Sequence, residues 1–118
     1  MLGLFDVIWV YDRTITPQNW KMHVCLDFER GWFLRVNTRN WHKPCVPIRV
    51  SDNPFLDHDS HIQCVILEID EYEIEEAIRT QGICGTVCDA AKGAVLAHLL
   101  ADRSIRDSDK GVLRQIFA

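Results

Sequence analysis

Long hydrophobic runs are missing from this sequence. No uninterrupted apolar stretch approaches the roughly 20 residues that cross a bilayer as a helix. Residues 1–7 (MLGLFDV) contain no basic residue and already include Asp6, so they do not have the pattern of a secretory signal. We therefore expect no membrane segment and a cytoplasmic location. The 118 residues predict a single domain with one core.

Paired cysteines are also missing. The five cysteines are Cys25, Cys45, Cys64, Cys84 and Cys88. They include no C-x-x-C motif, and an odd number without a secretion signal argues against a disulfide framework. We expect reduced, mostly buried thiols. A Cys nucleophile beside a His, such as Cys25 beside His23 or Cys64 beside His61, is the alternative, but burial in an apolar strand raises a thiol's pKa and leaves it inert.

A glycine-rich phosphate loop is absent, so nothing supports nucleoside-triphosphate chemistry. Residues 57–61 (DHDSH) do offer imidazole and carboxylate metal ligands. However, adjacent residues on an extended segment point in opposite directions, and structural zinc sites draw paired ligands from two places in a chain. We interpret the cluster as a loop held by Asp and Ser side-chain bonds to its own backbone. We expect no metal and no cofactor.

Positive charge is scarce in the chain as a whole, because the net charge is −4. This argues against nucleic acid, since affinity for a phosphate backbone comes largely from Lys and Arg. The distribution is uneven: residues 13–49 contain seven basic and two acidic residues, a local charge of +5, whereas ten acidic residues accompany six basic ones from Val65 onward. The asymmetry permits a basic face, although such clusters also serve only to keep a protein soluble.

Extended segments dominate the first part of the chain. The predicted strands cover residues 5–11, 21–26, 32–37, 44–50 and 62–69. Gly31 suits the turn before the third strand, in which alternation places Leu34 on the core face and Arg35 on the opposite, available face. Pro44 and Pro47 confine the fourth strand to an edge or a strand end. Five short strands indicate a small antiparallel barrel within residues 1–69.

Residues 70–118 are predicted to be helical and to pack on this barrel. Ile74 and Ala77 begin an apolar stripe at helical spacing, and Gly82 is a plausible C-terminal cap. Asp89 is predicted to cap a second helix, on whose apolar stripe His98 is interpreted as a core histidine. A last short helix is expected to begin at a cap formed by residue 107 or 108.

Basic and aromatic residues interleave across the second and third strands and their flanks. They are Trp20, Lys21, Trp32, Arg35, Arg39, Trp41 and Lys43. A groove for single-stranded nucleic acid needs this composition, because rings stack on bases and cations neutralise phosphates. Tryptophans of a small barrel also fill its core, so both interpretations stay open.

Four short segments resemble the PemK/MazF-type toxin family. Residues 3–9 (GLFDVIW) are similar to the family's opening strand, and residues 21–26 (KMHVCL) to its next conserved strand. Residues 35–38 (RVNT) resemble the strand end that carries a catalytic Thr or Ser, and residues 59–62 (DSHI) resemble the start of a later strand. The resemblance covers most of the chain. It implies a mainly β protein, an SH3-like antiparallel barrel with C-terminal helices, and a homodimer that cleaves single-stranded RNA.

The resemblance also implies roles for individual residues. Thr38 occupies the position of the catalytic threonine, and Lys21 that of the catalytic arginine. The reaction would be metal-free transesterification, with Trp20, Arg35 and Arg39 binding substrate and with an antitoxin protein as a partner. Three histidines are candidates to move protons near neutral pH. They are His23, His58 and His61.

Two family segments are not present in this chain. Residues 13–20 (RTITPQNW) stand where the family has S-E-Q-G-x-R-P, and the later C-D-Q-[IV]-R segment is absent near residues 64–67. These departures favour an alternative, a non-catalytic SH3-like module that binds a protein or peptide partner in its groove.

Overall fold

Seven antiparallel strands form a sheet that curls into a half-barrel. The structure is a computed structural model and describes residues 2–118. The strands are β1 (Asp6–Asp12), β2 (Asn19–Asp27), β3 (Trp32–Asn37), β4 (Cys45–Ile48), β5 (Ser60–Gln63), β6 (Leu67–Glu68) and β7 (Ile83–Thr86). Their order is β4-β5-β3-β2-β1-β7, and β6 pairs with β3. The helices are α1 (Glu71–Gln81), α2 (Lys92–Ala101) and α3 (Asp107–Ile116), with a short 3-10 helix (Asp89–Ala91) before α2.

The hairpin of β2 and β3 follows the prediction closely. Its turn requires Gly31, which has a φ of 68° and donates its N–H to the Phe28 carbonyl oxygen at 3.1 Å. A Cβ atom at this position would lie 2.4 Å from the carbonyl oxygen of Ile69. Glycine is therefore required by both the backbone angle and the close approach of the next segment.

The predicted fifth strand, residues 62–69, is divided in the structure. Both β5 and β6 pair with β3, at Val36↔Ile62 and at Phe33↔Leu67. The two pairs are three residues apart on β3 but five residues apart on the partner side. Two extra residues between β5 and β6 therefore form a bulge that does not pair with β3. The apolar pattern gave no sign of this bulge, because the residues within it are also apolar.

β7 lies within the part of the chain that was predicted to be helical. It pairs with β1, for example at Val7↔Gly85, and so provides partners for backbone groups of β1 on the side away from β2. Its four residues are too few for a period-2 pattern to be visible, and Ile83 remains exposed. Helices α1, α2 and α3 are present in the same region, as predicted.

The predicted helix caps are only partly correct. Gly82 ends α1, and its N–H donates to the Ile78 carbonyl oxygen at 2.9 Å, as predicted. Asp89 caps no helix: it is the first residue of the 3-10 helix and forms an ion pair with Lys92 at 2.8 Å. Neither predicted residue caps α3, because residue 107 is already helical and Arg106 precedes it without a side-chain cap.

The sheet buries apolar residues on both of its faces. One face packs against α2 and α3, with Val24, Leu34 and Leu99 among the fully buried residues. The opposite face packs against α1, but only over the part that contains residues such as Ile8 and Phe33. The same face also carries polar side chains, and these form the candidate site described below.

All five cysteines are free thiols, but the prediction that most are buried is wrong, because Cys45, Cys84 and Cys88 are only partly buried. Cys25 and Cys64 are fully buried, and burial raises the pKa of each thiol to about 12. Such thiols are poor nucleophiles at neutral pH. None of the helices in residues 2–118 has the length and apolar character needed to cross a bilayer.

Candidate functional site

Polar side chains form a continuous band across β2, β3 and β5. The band consists of Lys21, His23, Arg35, Asn37, His61 and Gln63. The strand register explains their proximity, because His23 pairs with Arg35 and Asn37 pairs with His61. Side chains two residues apart on a strand share a face, so the band follows from alternation in all three strands.

A chain of hydrogen bonds runs along this polar band. Nζ of Lys21 donates to Oδ1 of Asn37 at 3.0 Å, and Nδ2 of Asn37 donates to Oε1 of Gln63 at 3.1 Å. The pKa of Lys21 is lowered, first by burial and then by the nearby positive charge of Arg35, and the Asp12 carboxylate offsets this only in part. Lys21 is therefore a better proton donor than a free lysine side chain.

Arg35, which is partly buried, forms an ion pair with the buried carboxylate of Asp12 at the end of β1. Nη2 of Arg35 lies 2.7 Å from Oδ2 of Asp12 and donates to Oγ1 of Thr14 at 3.0 Å. Burial alone would raise the pKa of Asp12, but two hydrogen bonds from Thr14 and the charge of Arg35 hold it below its usual value. The positive charge of Arg35 is thus largely compensated inside the protein.

Two atoms of this ion pair lack an aligned hydrogen bond. Oδ2 of Asp12 faces the guanidinium group without a well-directed N–H, so the contact is electrostatic. Nε of Arg35 is buried and has no hydrogen-bond partner among residues 2–118. Part of the donor capacity of Arg35 is therefore unused.

His23 is buried at the base of the polar band. Its side chain is only 2% exposed, and Nδ1 donates to the Lys21 carbonyl oxygen at 2.9 Å. Burial is the main reason that its pKa falls to about 4, so the ring is neutral at pH 7. Of the three histidines predicted to move protons, His23 is enclosed, whereas His58 and His61 retain access to solvent.

Thr38 follows directly after β3 and meets a histidine of the neighbouring loop. Oγ1 of Thr38 lies 3.0 Å from Nε2 of His58, and both side chains are exposed. A hydroxyl within hydrogen-bond distance of an imidazole can pass its proton to the ring. Residue 38 is the chain neighbour of Asn37, which holds the ammonium group of Lys21.

Side-chain bonds hold the segment of residues 57–61, which ends within β5, but only the Ser60 bond goes to the segment's own backbone, as predicted. Oδ1 of Asp59 accepts from the Val50 N–H at 2.9 Å, and Oγ of Ser60 donates to the His58 carbonyl oxygen at 3.0 Å. These bonds fix the segment that presents the His58 imidazole to Thr38. Residues 2–118 contain no group of three or more His, Cys, Asp or Glu side chains arranged to hold a metal ion.

The predicted substrate-binding residues do not all come together. Arg35 lies within the polar band, whereas alternation along β2 directs Trp20 to the other face from Lys21. The Trp20 ring packs edge-on against Tyr11, with centroids 5.6 Å apart. Arg39 lies in the exposed loop after β3, with its guanidinium carbon 5.0 Å from the centroid of the Trp41 ring.

Sequence reasoning missed three polar residues of the site, namely Asp12, Asn37 and Gln63. Asn37 alone had a readable signal, because it stands two residues after Arg35 on the face that was predicted to be available. Asp12 and Gln63 are recognisable only from strand register.

Comparisons of the chain with protein-family models, with curated proteins and with solved structures give no match.

Proposed function

We propose that this protein is a metal-independent endoribonuclease of the PemK/MazF type, which cleaves single-stranded RNA at the end of β3. One observation carries the proposal: Thr38 contacts an imidazole, while the residue before it holds a lysine ammonium group. A hydroxyl linked to a base, and a cation held by the preceding residue, are the groups that phosphodiester transesterification requires.

The reaction begins at the 2′-hydroxyl of the RNA. This hydroxyl gives its proton to Oγ1 of Thr38 while Thr38 passes its own proton to Nε2 of His58, so the imidazole acts as the final base. The 2′-oxygen forms a bond to the adjacent phosphorus, and the bond from phosphorus to the 5′-oxygen of the next nucleotide breaks. The nucleophile belongs to the substrate, so neither a metal-bound hydroxide nor an enzyme nucleophile is needed.

Lys21 acts on the phosphoryl group and on the leaving group of the reaction. Its ammonium group stabilises the negative charge that develops on the phosphoryl oxygens, and it donates a proton to the departing 5′-oxygen. The lowered pKa of Lys21 favours this transfer. The products are a 2′,3′-cyclic phosphate and a 5′-hydroxyl, and His58 and Lys21 return to their starting states by exchanging a proton through water.

The remaining basic residues of the site have different roles. Arg35 is held by Asp12, so it supports Lys21 electrostatically and contributes less charge to a phosphate. Arg39 and Trp41 are exposed in the loop after β3, where a cation beside a ring suits a phosphate and a stacked base. We assign no contact with RNA to Trp20.

Cleavage of a mixed-sequence RNA in the presence of EDTA tests the proposal. We expect Lys21→Gln and Thr38→Val each to lower the cleavage rate by about 100-fold or more. The matched controls are Lys110→Gln in α3 and Thr80→Val in α1, which remove the same groups elsewhere and should retain the wild-type rate. Equal rates for site and control variants would refute the assignment.

A non-catalytic binding module is the second candidate, and one observation favours it. The ion pair with Asp12 compensates Arg35, so Lys21 is the only cation of the polar band without a carboxylate partner within 4.0 Å in residues 2–118. A weakly charged groove suits a protein or peptide better than a phosphate backbone. Recovery of RNA without protein in a pull-down from cells would exclude this candidate.

We also propose, from the resemblance, that the chain forms a homodimer and binds an antitoxin protein. Light scattering of the purified chain tests the first point, since a dimer has twice the 13.7 kDa mass of one chain. A monomer at micromolar concentration would contradict the homodimer.

Growth arrest on expression tests the antitoxin partner. Relief of the arrest by co-expressing a candidate antitoxin from an adjacent reading frame would support this partner. Arrest that no neighbouring product relieves would count against it.

A further inference from the structure

A cavity opens at the outer strand β4, where residues of β4 and β5 meet His98 of α2. Its volume is about 640 Å³. We call it the β4 pocket, and it is lined by Asn40, Lys43, Pro44, Cys45, Pro47, His61 and His98. His98 was predicted to be a core histidine, which is wrong: it is exposed on α2, and Val95 and Leu99 fill the core instead.

The strand register connects the β4 pocket to the polar band. Asn37 of β3 pairs with His61 of β5, which in turn pairs with Pro47 of β4. Adjacent strands lie about 4.8 Å apart, so the band and the pocket together extend about 14 Å from β2 to β4. The surface is therefore long enough for more than one nucleotide of an RNA chain.

The charge of the β4 pocket suits an anion. Its lining includes a lysine and two histidines but no Asp or Glu. His61 is partly exposed in the lining, and its buried Nδ1 has no hydrogen-bond partner among residues 2–118, so the ring is not committed to another protein group there. Pro44 and Pro47 add apolar surface against which a base or ribose can pack.

We infer that the β4 pocket binds a nucleotide of the RNA that flanks the nucleotide being cleaved. Lys43 and His98 contact the phosphate of this second nucleotide, His61 hydrogen-bonds to its base or ribose, and the prolines pack against the base. The inference rests on the proposed function for the identity of the ligand. It adds a second binding site that positions the chain across the polar band and so raises affinity for oligonucleotides over mononucleotides.

Binding experiments with an uncleavable ligand test the pocket separately from catalysis. The probe is a fluorescent 2′-O-methyl tetranucleotide, which lacks the attacking hydroxyl, and its affinity is measured by anisotropy. We expect Lys43→Ala and His98→Ala each to weaken binding by about fivefold. Arg103→Ala, which removes an exposed positive charge between α2 and α3, should leave affinity within about twofold of wild type.

NMR signals of the histidine rings then locate the ligand. Titration with the tetranucleotide should shift the ring signals of His61 and His98, and uridine 5′-monophosphate should shift the same signals only at much higher concentration. Shifts at Thr38 without shifts at these histidines would overturn the pocket while leaving the proposed cleavage intact. Binding of the mononucleotide but not the tetranucleotide would overturn the assignment to RNA. Pocket binding without cleavage of ordinary RNA would support the pocket and refute the nuclease.

Discussion

The neutral state of His23 makes the protein sensitive to acid. Its pKa is lowered to about 4 from an ordinary value of 6.5, so the unfolded chain takes up a proton first as pH falls. The contribution of His23 to stability is complete above about pH 6.5 and is lost toward pH 4, at about 1.4 kcal/mol per pH unit.

Urea denaturation at pH 7 and pH 5 measures this effect. We expect the wild type to lose about 2 kcal/mol more than His23→Gln over this interval, because glutamine does not titrate. The control His42→Gln changes an exposed histidine and should follow the wild type. The same loss in the wild type and in His23→Gln would show that folding does not lower the pKa of His23.

The Asp12–Arg35 pair should matter for stability more than an exposed ion pair does. Arg35→Met leaves the Asp12 carboxylate buried without its partner, and we expect a loss of about 2–3 kcal/mol in the free energy of unfolding. The control is Arg79→Met in α1, which breaks an exposed pair with Glu76 and should cost much less, because solvent screens that pair. Equal losses in thermal or urea unfolding would contradict a special role for the buried pair.

Individual polar residues were predictable only where strand alternation alone decided their position. Arg35 and Asn37 stand on the available face of a strand whose bounds the sequence predicted correctly. The partner of Arg35 lies 23 residues earlier, at the end of another strand, and no local pattern relates the two. His98 was wrongly predicted to be buried because it shares a helical stripe with apolar residues. In α2 only Val95 and Leu99 are buried in the core.

At the scale of elements, the β2–β3 turn depends on one glycine. Gly31→Ala imposes a strained positive φ and brings a Cβ atom to 2.4 Å from the Ile69 carbonyl oxygen, so we expect a loss of more than about 2 kcal/mol. Gly111→Ala in α3 is the matched control, because nothing lies within 4 Å and alanine favours a helix by about 0.5–1 kcal/mol. Chemical denaturation should give opposite signs for the two variants, and a neutral Gly31→Ala would contradict the turn assignment.

Elements with a strong local signal were predicted well, and those defined by distant pairing were not. The β3 strand and α1 carry clear periodicity and end at glycine or polar residues. By contrast, β7 is defined by its pairing with β1 on the side away from β2. The division between β5 and β6 arises from a bulge opposite β3. Both depend on which strands meet after the sheet curls, which a single segment does not encode.

In the molecule as a whole, one sheet face is divided between apolar and polar side chains. Helix α1 packs over the apolar half of this face, and the polar band occupies the half beyond it. Hydrogen bonds join Lys21, Asn37 and Gln63 of the polar band, and His61 of the same band lines the β4 pocket. This is the surface on which we propose that an acidic protein binds RNA.

The direct test of this account is cleavage of two oligonucleotides that differ only in the 2′-hydroxyl. With EDTA present, the protein should cleave the ribose form and leave a 2′,3′-cyclic phosphate, identified by mass spectrometry, while the all-2′-deoxy form of the same sequence stays intact. Cleavage of both forms, or of neither, would contradict the proposal that the attacking group is the substrate's own 2′-hydroxyl at the Thr38–His58 pair.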